Sequence, residues 1–234
     1  MAVTLWTELA RASNAAGDEI ILRTRNELFE IRYNGLELMS NLSHQSEDIL
    51  AKRSLRLHGA PARRIFIGGL GMGFTLRTAL RHLEPDAEIV VCELIPEIVE
   101  WNRTHLGHLA DHPLRDPRVK VRIGDAMELL GKEREPFDVI LMDTDNGPDF
   151  TVRTPNEAIY QSAGIGQIKQ ALKPAGIGAF WSATSSPAFE QELNKAAWHW
   201  RRDEVSLISG RVDAFHYIYF ASQSAAKVGF LQAG

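Results

Sequence analysis

The spacing of apolar residues changes twice along this chain. Between residues 19 and 40 apolar and polar positions alternate, which predicts half-buried strands at 19–24 and 28–33. Asn34-Gly35 separates the second of these from a returning run at 36–40, and both residues tolerate the positive φ of a tight hairpin. Residues 5–11 read as a short helix ahead of this antiparallel meander. The pattern then widens. Ser43 stands where it can cap a helix running to about residue 55, closed by Gly59 and Pro61. From residue 63 onward, short continuous apolar runs at 63–67, 88–93, 119–123, 137–142 and 177–181 alternate with helical stretches at 74–83, 97–109, 127–130, 156–172 and 187–200. Two further β-like runs, 204–208 and 214–221, close the pattern.

Alternating strands and helices predict an α/β fold: a Rossmann-like, mainly parallel sheet with helices on both faces. The last two strands would add an antiparallel hairpin at one edge. The expected division is a small β region, residues 1–42, and a nucleoside-binding domain, residues 43–234.

The chemistry collects where the strands end. The first buried run stops at Gly68-Gly69-Leu70-Gly71-Met72-Gly73, and a helix follows at once. Glycines let a backbone approach a ligand, and a helix N-terminus offers unpaired N–H groups. The second run ends in Glu93, twenty residues after Gly73, where an acid can accept hydrogen bonds from ribose hydroxyls. The third is followed by Gly124-Asp125-Ala126 and the fourth by Asp143. Asp143 opens a polar stretch, Asp143-Thr144-Asp145-Asn146-Gly147-Pro148-Asp149, with three carboxylates in seven residues. Ligands of open parallel sheets bind along this C-terminal edge.

Composition narrows the field slightly. The 234 residues are 44% hydrophobic and 24% charged, as in an ordinary globular domain, and the net charge of −4 is spread along the chain. No basic run marks a nucleic-acid partner, and no apolar run approaches the length of a membrane helix. The cytoplasm is the expected compartment. Cys92, the only cysteine, sits in an apolar run and reads as a small buried hydrophobe. His105, His108 and His112 have spacings of three and four, but Pro113 follows and no other ligand type completes a shell, so no metal is expected.

The glycine turn, Glu93, Gly124-Asp125-Ala126 and Asp143 occur in the order seen in S-adenosylmethionine-dependent methyltransferase folds. More closely, the chain resembles the spermidine synthase (polyamine aminopropyltransferase) family from about residue 20 to 182. The N-terminal meander, the segment from Ser43 to Glu47, Arg77 in the first helix after the glycine turn, and the acidic Gly-Pro loop carry that likeness. The resemblance implies a transferase that moves an aminopropyl group from decarboxylated S-adenosylmethionine, or a relative using S-adenosylmethionine itself, to a small amine. It implies that Gly68, Gly69, Gly71, Gly73, Glu93, Asp125 and Ala126 hold the nucleoside. Asp143 would position and deprotonate the amine, and Gln45, Asp145, Asp149 and Tyr160 would hold its other end. It also implies a homodimer. Departures fall on the amine side: Gly71 stands where the family carries an acid, Asn146 takes the place of a second loop acid, Leu38 replaces a glutamine, and Gln45-Ser46-Glu47 replaces a Tyr-His/Gln-Glu triplet. A small-molecule methyltransferase and a nucleoside-binding protein without catalysis are the alternatives.

Overall fold

The computed structural model describes residues 5–14, 17–144, 147–149, 157–207 and 214–228. The chain divides into two compact units, Met1–His44 and Gln45–Gly234.

The first unit is a four-stranded antiparallel sheet in sequence order, β1 (Thr7–Ser13), β2 (Glu19–Arg25), β3 (Leu28–Tyr33) and β4 (Leu36–Ser40). The hairpin at Asn34 (φ 47°) and Gly35 (φ 79°) forms as its sequence predicts. The helix expected over residues 5–11 is instead the edge strand β1. Its modest helix propensity loses to backbone pairing with β2, and Arg11 reaches both Glu8 on its own strand and Glu19 across the pair. Glu30 is buried between Arg23 (2.9 Å) and Arg32 (2.6 Å), so its charge is matched on both sides.

The second unit alternates strand and helix. It runs α1 (Gln45–His58), β5 (Arg64–Gly68), α2 (Phe74–Arg81), β6 (Glu88–Glu93), α3 (Pro96–Trp101), β7 (Val119–Ile123), α4 (Ala126–Lys132), β8 (Phe137–Met142), α5 (Glu157–Tyr160), α6 (Ser162–Ala171), β9 (Leu172–Ser182), α7 (Pro187–Lys195), β10 (His199–Ser206) and β11 (Phe215–Ser222). The sheet order is β10-β11-β9-β8-β5-β6-β7, parallel from β9 to β7, with β10 and β11 antiparallel at one end. Phe66, Ile140, Met142, Phe180 and Tyr219 form one sheet face and are buried against Leu130, Ile165, Ile168, Phe189 and Leu193. The other face is covered by α1, which packs on β8 and β9 and against α2.

Four boundaries differ from the sequence expectation, each for a local reason. The helix after β6 leaves α geometry at Trp101, becoming a π turn (Asn102–Leu106) and then a 3₁₀ turn (Gly107–Ala110). Asn102 sits at that change, its amide turned back to the Ile98 carbonyl (2.8 Å) and across to Gly71 (2.7 Å). The helix expected over 156–172 breaks at Gln161, whose ψ of 164° is extended. Gly164 lies so close to the Ala158 carbonyl that a Cβ there would come within 2.0 Å of it. The turn expected at residues 173–176 is a bulge inside β9: Phe137 pairs with Leu172 and Val139 with Ile177. The helix expected to reach residue 200 stops at Lys195, because Ala197 turns left-handed (φ 52°) and β10 begins at His199.

Candidate active site

Four strand ends are laced together by main-chain hydrogen bonds at the C-terminal edge of the parallel sheet. The Gly69 N–H donates to the Cys92 carbonyl (2.8 Å), the Asp143 N–H to the Gly68 carbonyl (2.8 Å), and the Gly124 N–H to the Glu93 carbonyl (2.9 Å). Gly69 has φ 90°, and a Cβ there would lie 2.0 Å from the Asp143 carbonyl oxygen, so no other residue fits without moving the backbone. The glycine turn is therefore pressed against the end of β8. That brings Gly68, Gly69, Glu93 and Asp143 into one site.

Glu93 locks the turn from the β6 side. It is 6% exposed, and its Oε2 and Oε1 accept the Leu70 and Ile95 N–H groups, each at 2.9 Å. Burial raises its pKa, while the backbone donors pull it down. Asn102 locks the turn from the other side. It donates to the Gly71 carbonyl, and its own Oδ1 is buried with no hydrogen-bond partner. Gly73, left-handed at φ 85°, opens α2. Asp125 is the N-cap of α4, its Oδ1 accepting the Glu128 N–H at 2.9 Å, and Ala126 is the first, buried residue of that helix. One oxygen of Asp125 is thus structural.

Asp143 is half-buried, and its Oδ2 accepts the Thr75 hydroxyl at 2.6 Å. Thr75, in the first turn of α2, is 3% exposed. Burial pushes the Asp143 carboxyl up to about 6; the Thr75 hydrogen bond opposes this and the Glu93 charge adds to it. A carboxyl in that range holds or releases a proton near neutral pH, as a general base requires. Thr75 and Asn102 are the residues that sequence reasoning misses here, since neither belongs to a charge pattern.

The expected amine-side residues are dispersed. Gln45 is exposed at the start of α1. Asp145 lies outside the described residues. Asp149 accepts the Ser186 hydroxyl at 2.7 Å, and Ser186 in turn caps α7. Tyr160 is buried in the core cluster, edge-on to Phe189 with ring centroids 5.4 Å apart. Among the described residues, no group of three or more His, Cys, Asp or Glu is placed to hold a metal ion. His105 falls in the π turn, His108 in the 3₁₀ turn and His112 in a left-handed residue, so the three do not share one helical face.

An aromatic corner occupies the same sheet edge. Trp181 near the end of β9 meets His216 of β11 edge-to-face, centroids 4.5 Å apart. His216 Nδ1 lies 2.9 Å from the Ser46 hydroxyl oxygen, and that hydroxyl donates to Glu47 Oε2 at 2.6 Å. Burial pushes the imidazole down to about 4, so it is neutral at pH 7. No motif flagged this corner, because its members come from three distant parts of the chain.

Comparison with known proteins agrees with this geometry. The family model for the spermine/spermidine synthase domain matches residues 44–199. A polyamine aminopropyltransferase from Clostridium tetani is 30% identical over 145 residues, covering 62% of this chain and 48% of its own length. A spermidine synthase from Schizosaccharomyces pombe is 29% identical over 131 residues, covering 56% and 41%. The chain thus spans about half the length of the curated relatives it matches. The crystal structure of spermidine synthase from Thermotoga maritima superposes with a TM-score of 0.73 at 20% identity, over 94% of this chain and 74% of that one, so the fold is shared. With the matched segment reaching from α1 to the start of β10, the chain belongs to the spermine/spermidine synthase domain family.

Proposed function

We propose that this chain is a transferase that moves an aminopropyl group from decarboxylated S-adenosylmethionine to a small amine. The observation that carries it is Asp143, held by Thr75 at the sheet edge, its carboxyl near 6 and its backbone pressed against the glycine turn. The donor is a substrate and brings its own activation: a sulfonium sulfur is a good leaving group. The protein has to align the amine nitrogen with the carbon next to sulfur and take up the proton. The nitrogen lone pair forms the new C–N bond. The C–S electron pair goes to sulfur, leaving a neutral thioether, and the proton released from nitrogen goes to the Asp143 carboxylate.

In this reading Glu93, its carboxylate oriented by backbone N–H groups, receives the ribose hydroxyls. Asp125 receives the adenine amino group on the oxygen not used as a cap, and the glycine turn lies against the nucleoside. Gln45, Asp145 and Asp149 are the polar groups assigned to the amine's far side, while the packing of Tyr160 gives its ring a supporting part. A cytoplasmic homodimer completes the reading, supported by the family resemblance; in addition, among the described residues no helix is long and apolar enough to cross a membrane.

The test is turnover of decarboxylated S-adenosylmethionine with a panel of amines, followed by release of methylthioadenosine. Product formation that disappears in Asp143→Asn supports the assignment. Undiminished turnover in that variant sinks it.

A further inference from the structure

The helix after β6 is widened at one place. It leaves α geometry after Trp101, and the π turn Asn102–Leu106 runs into Gly107. A Cβ added at Gly107 would lie 2.6 Å from the Asn102 carbonyl oxygen and 2.6 Å from His112 Nδ1, so the widened turn requires a glycine there. Turns of this kind are rare and gather at functional sites. The side chain at its start, Asn102, reaches the glycine turn.

Asn102 is 2% exposed. Its Nδ2 donates to the Gly71 carbonyl at 2.7 Å and to the Ile98 carbonyl at 2.8 Å. Only the NH₂ side of the amide can face two carbonyls, which fixes how the amide is turned. Its Oδ1 then lies on the Gly73 side, 3.3 Å from where a Cβ on Gly73 would stand, buried and without a hydrogen-bond partner. Leaving a buried acceptor unmet is costly, and here that cost accompanies the placing of the NH₂ on Gly71.

Gly71 is the residue that most needs a hold. Four of the six residues 68–73 are glycine, and Gly71 is left-handed at φ 52°. With no Cβ at Gly71, the peptide between Gly71 and Met72 can turn over at little steric cost. The two orientations differ for a ligand. In a planar trans peptide the carbonyl and the following N–H point opposite ways, so a flip exchanges an acceptor for a donor.

We propose that Asn102 is a positioning residue for the group donor. It holds the Gly71 carbonyl toward the π turn and so turns the Met72 N–H to the opposite side, and this orientation of the turn is the one that binds the nucleoside. Without Asn102 the turn divides between two orientations, and affinity falls with the fraction that is competent. The inference rests on the transferase reading above, in which the glycine turn lies against the nucleoside, and adds the residue that sets the shape of that turn.

The test is calorimetric affinity for methylthioadenosine in the wild type, Asn102→Asp and Asn102→Leu, each below its melting temperature. Asn102→Asp keeps the shape. Ionised, it turns an oxygen toward two carbonyls; protonated, it has one O–H to give to Gly71. Burial beside those carbonyls favours the protonated form, so the comparison is made at about pH 5.5 and about pH 9, always against the wild type at the same pH. Asn102→Asp is expected to bind on the order of a hundredfold more weakly than the wild type at the higher pH and to regain most of that loss at the lower. Asn102→Leu keeps the volume and has no donor at any pH, so its loss should be the same at both; it carries the test if the aspartate variant does not fold. Variants that melt lower yet bind as the wild type does overturn the proposal, since that is what a purely structural asparagine gives. So does an Asn102→Asp loss that is equal at the two pH values. A wild type that does not bind methylthioadenosine overturns the nucleoside reading itself.

Discussion

At the scale of the residue, the account turns on one hydrogen bond and one carboxylate. Thr75 donates to Asp143 at 2.6 Å, and this contact holds the carboxyl below where burial alone would place it. Thr75→Val keeps the shape and removes the donor. We expect the acidic limb of the pH–rate profile to move up by about one unit, with nucleoside affinity unchanged. A profile that stays in place would remove Thr75 from the mechanism. Asp143 also makes a prediction about stability. Its folded pKa, about 6, is above the ordinary aspartate value of 3.8, so between those pH values the folded state holds more protons and stability falls as pH rises. Asp143→Asn should therefore be more stable than the wild type at pH 7.5, by up to about 3 kcal/mol, and equally stable below pH 4. Thermal melts at the two pH values check this. His216 works in the opposite sense. Its pKa is pushed down to about 4 from 6.5, so it contributes stability above 6.5 that is lost as pH falls through 4.

At the scale of the element, the glycine turn is rigid because three strands hold it. Gly69→Ala forces a Cβ against the Asp143 carbonyl and should cost more than about 3 kcal/mol, read by denaturant unfolding, with loss of nucleoside binding. Glu93→Gln turns one accepting oxygen into a donor that faces a backbone N–H. We expect a loss of about 1–3 kcal/mol and weaker nucleoside binding, measured by melting and calorimetry. These elements were legible in the sequence because each strand is a short apolar run bounded by turn residues. The hairpin at Asn34-Gly35 and the strands ending in Glu93 and Asp143 form as written. The misread elements are those where a partner decides. Edge strand β1 is set by β2 across the sheet. The end of α3 is set by Asn102 reaching for Gly71, and α7 by the left-handed turn at Ala197 that starts β10. None of these partners is adjacent in sequence.

At the scale of the whole molecule, the same division holds for the site. The residues proposed for the nucleoside side follow chain order, one motif per strand end, so a sequence read strand by strand finds Gly68, Gly69, Glu93, Asp125 and Asp143. The aromatic corner is assembled across the sheet. Trp181 of β9, His216 of β11 and Ser46 of α1 meet only because β11 inserts between β9 and β10, and no spacing in the sequence announces that contact. Asp149 and Tyr160, which the family resemblance brings forward, lie beside the α7 cap and in the core. The fold shared with spermidine synthase thus persists here, over a segment that matches about half the length of the curated relatives. The most direct measurement is a calorimetric titration of the protein with decarboxylated S-adenosylmethionine, S-adenosylmethionine and methylthioadenosine. The account predicts that the decarboxylated donor binds most tightly, by about tenfold over S-adenosylmethionine, a gap of about 1.4 kcal/mol. A preference for S-adenosylmethionine, or no binding of any of the three, would contradict it.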